Sequence, residues 1–374
     1  MDHQSRYLAL DEAVLEPAIR EWRGQQANGG ILALVPEAEA GRIPILQAVC
    51  RDVGLRLAGG VFPALLEQGR EVRNGVRLVF FQNWPAVILT AGLDHPGGMA
   101  AYEQALADLL AARPATEQPL LFTMYDSTLG TLGALLSNLA VRLEDRVLYA
   151  GANVGAESFA SIGSLFDQDR VVTKGALALL LPPDSKVAVE HGFSTPLQIF
   201  TVTSSQGAKV HTLNDRPAFE VYQDALRRLY DIEVTPENFT EYAVHYPFGV
   251  MSGASRVRVR IPVALDEDGT LTCVGDVETG VVLVILKAPG VGEGDCVPEI
   301  ARRIGPGVGA AMTFYCAGRR QHLGQQGMEA ELADLAAELR PDALFGALSL
   351  GEISVDAQGD PVFHNAALVC LPLN

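Results

Sequence analysis

Short apolar runs of strand length alternate along this chain with segments whose apolar positions recur every three to four residues. "ILALVP" predicts a strand, and "RIPILQAVCRDVG" behind it predicts an amphipathic helix closed by glycine. "VRLVFF" and "AVILTAGL" predict two more strands, parted by Trp84 and Pro85, and "AYEQALADLLAARP" predicts a helix that stops at its proline. "LLFTMYDS", "RVLYAGANVG" and "GALALLLP" predict strands, with a helix over "LGTLGALLSNLA" after the first of them. Elements in this order define an α/β protein.

Past residue 280 the order returns. "VVLVILKAP", "AAMTFYCAGRR", "FGALSLGEISV" and "NAALVCLPL" predict strands, with helices over "CVPEIARRI" and "GMEAELADLAAELR". Laid over the first half, Tyr315 falls on Tyr125, Gly351 on Gly151, and 365–372 on 175–182. An internal duplication and two merely similar α/β modules both account for that match. Between the halves lies a β-rich stretch with a turn at Gln206 and Gly207. Within it, "AFEVYQDALRRLYD" predicts a helix capped by Asn214 or Asp215, with Arg216 and Pro217 in its first turn. Residues 231–256 read as irregular, and "RVRVRIPVALDEDGTLTCVG" reads as a hairpin turning at "DEDG". The expectation is two α/β domains with mixed sheets, 1–230 and 231–374, joined by the β-rich middle segment.

Composition narrows the function. With 374 residues, 48% of them hydrophobic, the chain is long and apolar enough for sizeable cores, which excludes wholesale disorder. A net charge of -17 opposes binding to nucleic acid or to an anionic membrane. The alternating Arg256, Arg258 and Arg260 read as the wet face of a strand. The N-terminus lacks the basic leader and apolar core of a secretory signal, and "GALALLLPP" is too short to cross a bilayer, so a cytoplasmic location is expected. Five cysteines are scattered without metal-ligand spacing and read as free thiols.

Candidate chemistry gathers where strands end, since open sheets bind ligands beyond the carboxyl ends of their parallel strands. "YDST" at 125–128, "GANVG" at 151–155, "AGRR" at 317–320 and "GEIS" at 351–354 are such ends. Arg319 and Arg320 follow an apolar strand, and a guanidinium there suits a carboxylate ligand or a loop-locking partner such as Glu352. Glu352 itself could accept from a ligand ammonium, and Asn365 offers both a donor and an acceptor. Asp126 either caps the following helix or leaves the helix N-terminus to an anion. Cys316 is a small buried hydrophobe or a nucleophile, with His322 as its base and Arg319 as its charge. No histidine shows zinc-site spacing; His191, His245 and His364 are the residues a haem could use.

The stretch from "KVAVEHGF" to "FEVYQDAL", followed by "HYPFG", "FYCAGRRQHLG", "GEIS" and "FHNAAL", resembles the FIST family, an N-terminal FIST domain followed by a FIST C domain over nearly the whole chain. The resemblance implies a ligand-sensing module of signal transduction that takes a small molecule such as an amino acid. It also implies a partner such as a histidine kinase or a cyclic-dinucleotide enzyme, here a separate protein because no output domain follows the last strand. Some relatives imply a haem-based gas sensor; the alternatives are an enzyme using Cys316, Arg319 and Glu352, or a scaffold without ligand. By resemblance the C-domain motif falls on Cys316, Gly318, Arg319, Gly324, Glu329, Gly351, Glu352 and Asn365. The N-domain likeness rests on Gly151, Gly155, His191 and Gly192.

Overall fold

A computed structural model describes residues 3–373, other than 27, 115, 184–185, 195, 253–255 and 356–358. The chain is α/β with mixed sheets, its two halves joined by a β-rich middle segment. One unit of structure occurs three times. The first copy runs β1 (His3–Leu8), α1 (Glu12–Gln25), β2 (Gly30–Pro36), α2 (Ile43–Val53), β3 (Arg56–Phe62), the hairpin β4 (Leu65–Glu67) and β5 (Arg70–Val72), and β6 (Val76–Phe81). The second runs β7 (Ala86–Thr90), α3 (Pro96–Ala111), β8 (Leu120–Asp126), α4 (Leu132–Leu143), β9 (Leu148–Val154), the hairpin β10 (Leu165–Asp167) and β11 (Val171–Val172), and β12 (Ala176–Leu181).

The third copy opens with β13 (Ala188–Glu190) and is then interrupted by a middle module: β14 (Ile199–Gln206), β15 (Lys209–Leu213), β16 (Arg216–Pro217), α5 (Ala218–Tyr230), α6 (Phe239–Ala243), β17 (Phe248–Ser252), β18 (Arg256–Arg260), β19 (Pro262–Leu265), β20 (Leu271–Cys273) and β21 (Val282–Ile285). It resumes with α7 (Cys296–Ile304), β22 (Ala310–Cys316), α8 (Ala317–Leu339), β23 (Ala343–Ser349), the pair β24 (Glu352–Val355) and β25 (Pro361–His364), and β26 (Leu368–Leu373).

In each copy the two central strands pair in parallel over seven residues: β2 with β3, β8 with β9, β22 with β23. The last strand of the copy returns antiparallel beside the first of that pair. The hairpin leaves its own sheet: β4 of the first copy joins β23 of the third, β10 of the second joins β3 of the first, and β24 of the third joins β9 of the second. The exchange is therefore cyclic.

One position records the repeat in a single residue type. Gly59, Gly151 and Gly346 occupy the same register, and a Cβ on any of them would collide with the carbonyl oxygen of Ala33, Thr123 or Thr313 on the parallel neighbour. The three sheets face one another around a common core, where Phe314 stacks on Phe62 at 5.6 Å and lies 5.5 Å from Phe122, one ring from each sheet. The helices cover the outer faces: α1 and α2 on the first sheet, α3 and α4 on the second, α7 and α8 on the third. The middle module has its own core beneath α5 and α6.

Several expectations change in detail. The register places Tyr315 on Tyr125 as read from sequence, but Gly151 corresponds to Gly346 rather than to Gly351. "FGALSLGEISV" is two strands in different sheets, and the chain crosses between them at Gly351 with φ of 128°. Helix α5 has no side-chain cap; Asn214 and Asp215 instead take positive φ in a tight turn, and Arg216–Pro217 pairs with β15. The stretch 231–256 contains α6 and β17, and β18 pairs with β17 rather than continuing the β19–β20 hairpin.

Gly346→Ala is expected to lower stability by about 2 kcal/mol or more, because backbone must move to admit a methyl group in a close-packed sheet. Urea unfolding measures this, and an unchanged midpoint would contradict the collision.

Candidate functional site

The residues singled out in the second half sit where β22 runs directly into α8. Arg319 lies in the first turn of that helix and is 3% exposed. Its Nε donates to Glu331 Oε2 at 2.7 Å, its Nη2 to Glu331 Oε1 at 2.5 Å, and its Nη1 to the carbonyl oxygens of His191 and Ala366. Tyr315 Oη donates to the same Glu331 carboxylate at 2.6 Å. Arg319 therefore pairs with Glu331, not Glu352, and this buried bidentate pair holds α8 against its strand and ties in the loop at His191.

Glu352 is wholly buried at the start of β24, accepting from Ser349 Oγ at 2.6 Å and from the Ala367 amide at 3.3 Å. Burial pushes its carboxyl up to about 8, against the opposing pull of those hydrogen bonds. The cluster is sealed by protein groups. Cys316 is buried too; the Ala366 amide donates to its Sγ at 3.1 Å, and burial raises the thiol, with Glu352 adding to the rise. His322 does not approach it as a base, because its two ring nitrogens meet His245 and the Pro289 carbonyl.

Arg320 binds Glu157 of the second copy and lies 3.7 Å from Glu71 of the first, bracing the loops where all three copies meet. Asp126 is saturated: Oδ1 accepts from the Thr128 amide and hydroxyl, Oδ2 from Ser164 Oγ and the Lys174 amide. It serves as a turn anchor. Asn365 Oδ1 accepts from the Ile261 amide at 3.4 Å, stitching the middle module to the third copy. Gly318 lies beneath Ile261, whose Cδ1 would stand 2.5 Å from an added Cβ. Gly324 takes φ of 71° at a kink within α8. Gly155 turns the chain at φ of 139°, where an added Cβ would press on Ser127 Oγ. Glu329 accepts from Gln325 on the helix surface, while Glu331, on the buried face shared with Met328, Leu332 and Leu335, is the carboxylate that sequence reasoning missed. A charge on that apolar stripe was the available signal. His191 contributes its carbonyl to Arg319 and accepts the Phe193 amide at Nδ1.

A cleft of about 720 Å³ opens elsewhere, at the seam between the second copy and the middle module. One wall is the turn after β8 and the N-terminal part of α4; the other is β18 with the segment 273–279. Three buried polar atoms without hydrogen-bond partners line it: Ser127 Oγ, Asn153 Oδ1 and Arg258 Nε. Buried polar groups are nearly always bonded, so these three atoms distinguish this hollow from the saturated cluster around Arg319. Asn153 is 5% exposed, and its counterparts in the other copies are Val61 and Leu348, so the repeat itself does not demand an amide there.

Arg260, read from sequence as solvent-facing, is 4% exposed. Its Nε and Nη1 donate to the carbonyl oxygens of Asp276, Val259 and Phe363, and its guanidinium lies over the Phe363 ring at 5.5 Å. These bonds orient the cation without neutralising it, and burial lowers its pKa to about 10. Asp276 packs against Gly133 near the start of α4, and burial raises its pKa although Arg260 opposes this. The cleft thus offers guanidinium donors, the two carboxylates of Asp276 and Glu278, an amide and several hydroxyls. No histidine lines it among the described residues. His191, His245 and His364, the residues a haem could use, lie outside its lining, with ring contacts to the Phe193 amide, His322 and Ser354. No group of three or more His, Cys, Asp or Glu side chains able to hold a metal occurs among the described residues.

Mixed-sheet α/β repeats clasping an inserted sheet define the class, and two family models divide it between them. The FIST N domain matches residues 32–216 and the FIST C domain matches 218–355. The chain belongs to the FIST family, N domain followed by C domain, and FIST domains are ligand-sensing modules. No curated protein matches it. The junction of the matches, at Arg216–Pro217, lies inside the middle module, as does the division near 230 expected from sequence, which marks the end of α5. No helix among the described residues is long and apolar enough to cross a membrane.

Arg319→Ala is expected to cost about 3–5 kcal/mol in stability, since it strands Glu331 as an uncompensated buried charge; retention of the wild-type urea midpoint would contradict the pairing. Glu352 holds its proton when folded and releases it near the ordinary glutamate value when unfolded. Its contribution to stability is therefore complete below that value and is lost as pH rises toward about 8. Glu352→Gln is expected to flatten this decline, read from unfolding midpoints across that range.

Proposed function

We propose that this protein senses a small carboxylate, such as an amino acid, held in the cleft between the second copy and the middle module. The observation that carries this reading is the convergence of Arg258, Arg260, Asn153 and Ser127 on one hollow with polar atoms left unpartnered. A ligand carboxylate suits the two guanidiniums, since paired N–H groups match a planar oxyanion. Asp276 and Glu278, which share the lining with the arginines, suit an ammonium group. The site forms from both sides of a seam, so occupancy would favour a docked module, and that difference in docking is a signal a partner can read. A histidine kinase or a cyclic-dinucleotide enzyme is the kind of partner this reading requires.

The nucleophile reading finds less support, because the Cys316 thiol is buried, raised and without a base.

A thermal-shift panel of amino acids and small carboxylates tests the proposal. One member is expected to stabilise the protein by about 2.7 kcal/mol at a hundredfold excess over Kd, and Arg258→Ala to abolish that shift while leaving the unliganded melting temperature nearly unchanged. A panel without effect, or equal shifts in the variant, would sink it.

A further inference from the structure

The middle module meets the third copy through a second contact, made by two imidazoles. His245 lies between α6 and β17, and His322 in the short segment of α8 that precedes the kink at Gly324. Their Nδ1 atoms stand 2.5 Å apart, with the rings at 66° and centroids 4.8 Å apart. His322 Nε2 lies 2.9 Å from the Pro289 carbonyl oxygen. A carbonyl oxygen only accepts, so Nε2 of His322 carries a hydrogen. In the neutral ring Nδ1 is then the acceptor, and the hydrogen between the rings belongs to His245 Nδ1.

This arrangement fixes how many protons the contact tolerates. A first added proton goes to His245 Nε2 and leaves the bond in place, since His245 Nδ1 still donates. A second has only His322 Nδ1 to occupy, which sets two N–H groups and two positive rings against each other. We propose that the His245–His322 pair is an acid-released latch: it holds the middle module to α8 with one charge or none, and lets go when both rings are charged.

The surroundings add little counter-charge. On α8, Arg319 and Glu331 neutralise one another, Arg319 disfavouring and Glu331 favouring the charged His322. Lys287, on the stretch leading to Pro289, is exposed, as are Glu293 and Asp295 beyond it, and Glu293 is occupied by the Gly290 amide. Burial lowers the affinity of both rings for protons. Docked strength is therefore complete above the ordinary histidine range and is lost as pH falls below it.

The latch does not depend on what the cleft binds. Imidazole nitrogen spectra of the full chain are expected to show the Nε2–H form of His322 and the Nδ1–H form of His245 at about pH 8. Amide exchange over 240–250 and 317–326, corrected for intrinsic rates, is expected to rise about tenfold or more by about pH 5. His322→Gln keeps a donor for Pro289 but cannot titrate, and is expected to remove that rise. An Nδ1–H tautomer for His322, seam protection indifferent to pH, or an equal rise in His322→Gln and His245→Gln would each overturn the proposal. The tautomer measurement decides the matter if either variant fails to fold.

Discussion

No sheet of this protein's three-copy body is finished by its own stretch of chain. Each copy supplies two parallel strands, a return strand and a hairpin, and donates the hairpin to a neighbour in cyclic order. An open strand edge is a row of unsatisfied backbone groups, so each copy depends on the next for its hydrogen bonds. The glycines at 59, 151 and 346 allow the central strands to close up, and the phenylalanines at 62, 122 and 314 fill the space where the sheets converge.

Against this regular background, departures from the repeat locate chemistry. Where the first and third copies carry Val61 and Leu348, the second carries Asn153; where they carry Pro36 and Cys316, it carries Asp126. Only some of these polar groups are used by the fold. Asp126 is consumed in anchoring its turn, whereas Asn153 Oδ1 is left unmatched on the lining of a cleft that two arginines of the middle module also line. The insertion between β13 and α7 brings those arginines to the second copy, so the cleft exists through the added module and not through the repeat alone.

Much of the fold was legible in sequence. The apolar rhythms marked the core strands and most helices, and the likeness of Tyr125 and Tyr315 reported a true correspondence. The hairpins at 65–72 and 165–172, together with β1 and α1, left too weak a periodicity to be noticed, so three copies read as two. The site was harder. Alternation in "RVRVR" correctly separated Val257 and Val259 from the arginines, but one sequence cannot say whether the polar face meets water or another part of the chain. Arg319 was recognised as chemically committed, yet its partner lay on the apolar stripe of α8, where Glu331 was passed over in favour of Glu329.

The cyclic exchange also bears on how the molecule is made. As the chain leaves the ribosome, β9 emerges long before β24, which it awaits, and Leu65 of β4 waits for Ala347 of β23. The nascent first half therefore carries raw strand edges until residues 343–355 emerge, and the ring closes only then. Such distant pairings make folding slow and leave the unfinished protein prone to aggregation.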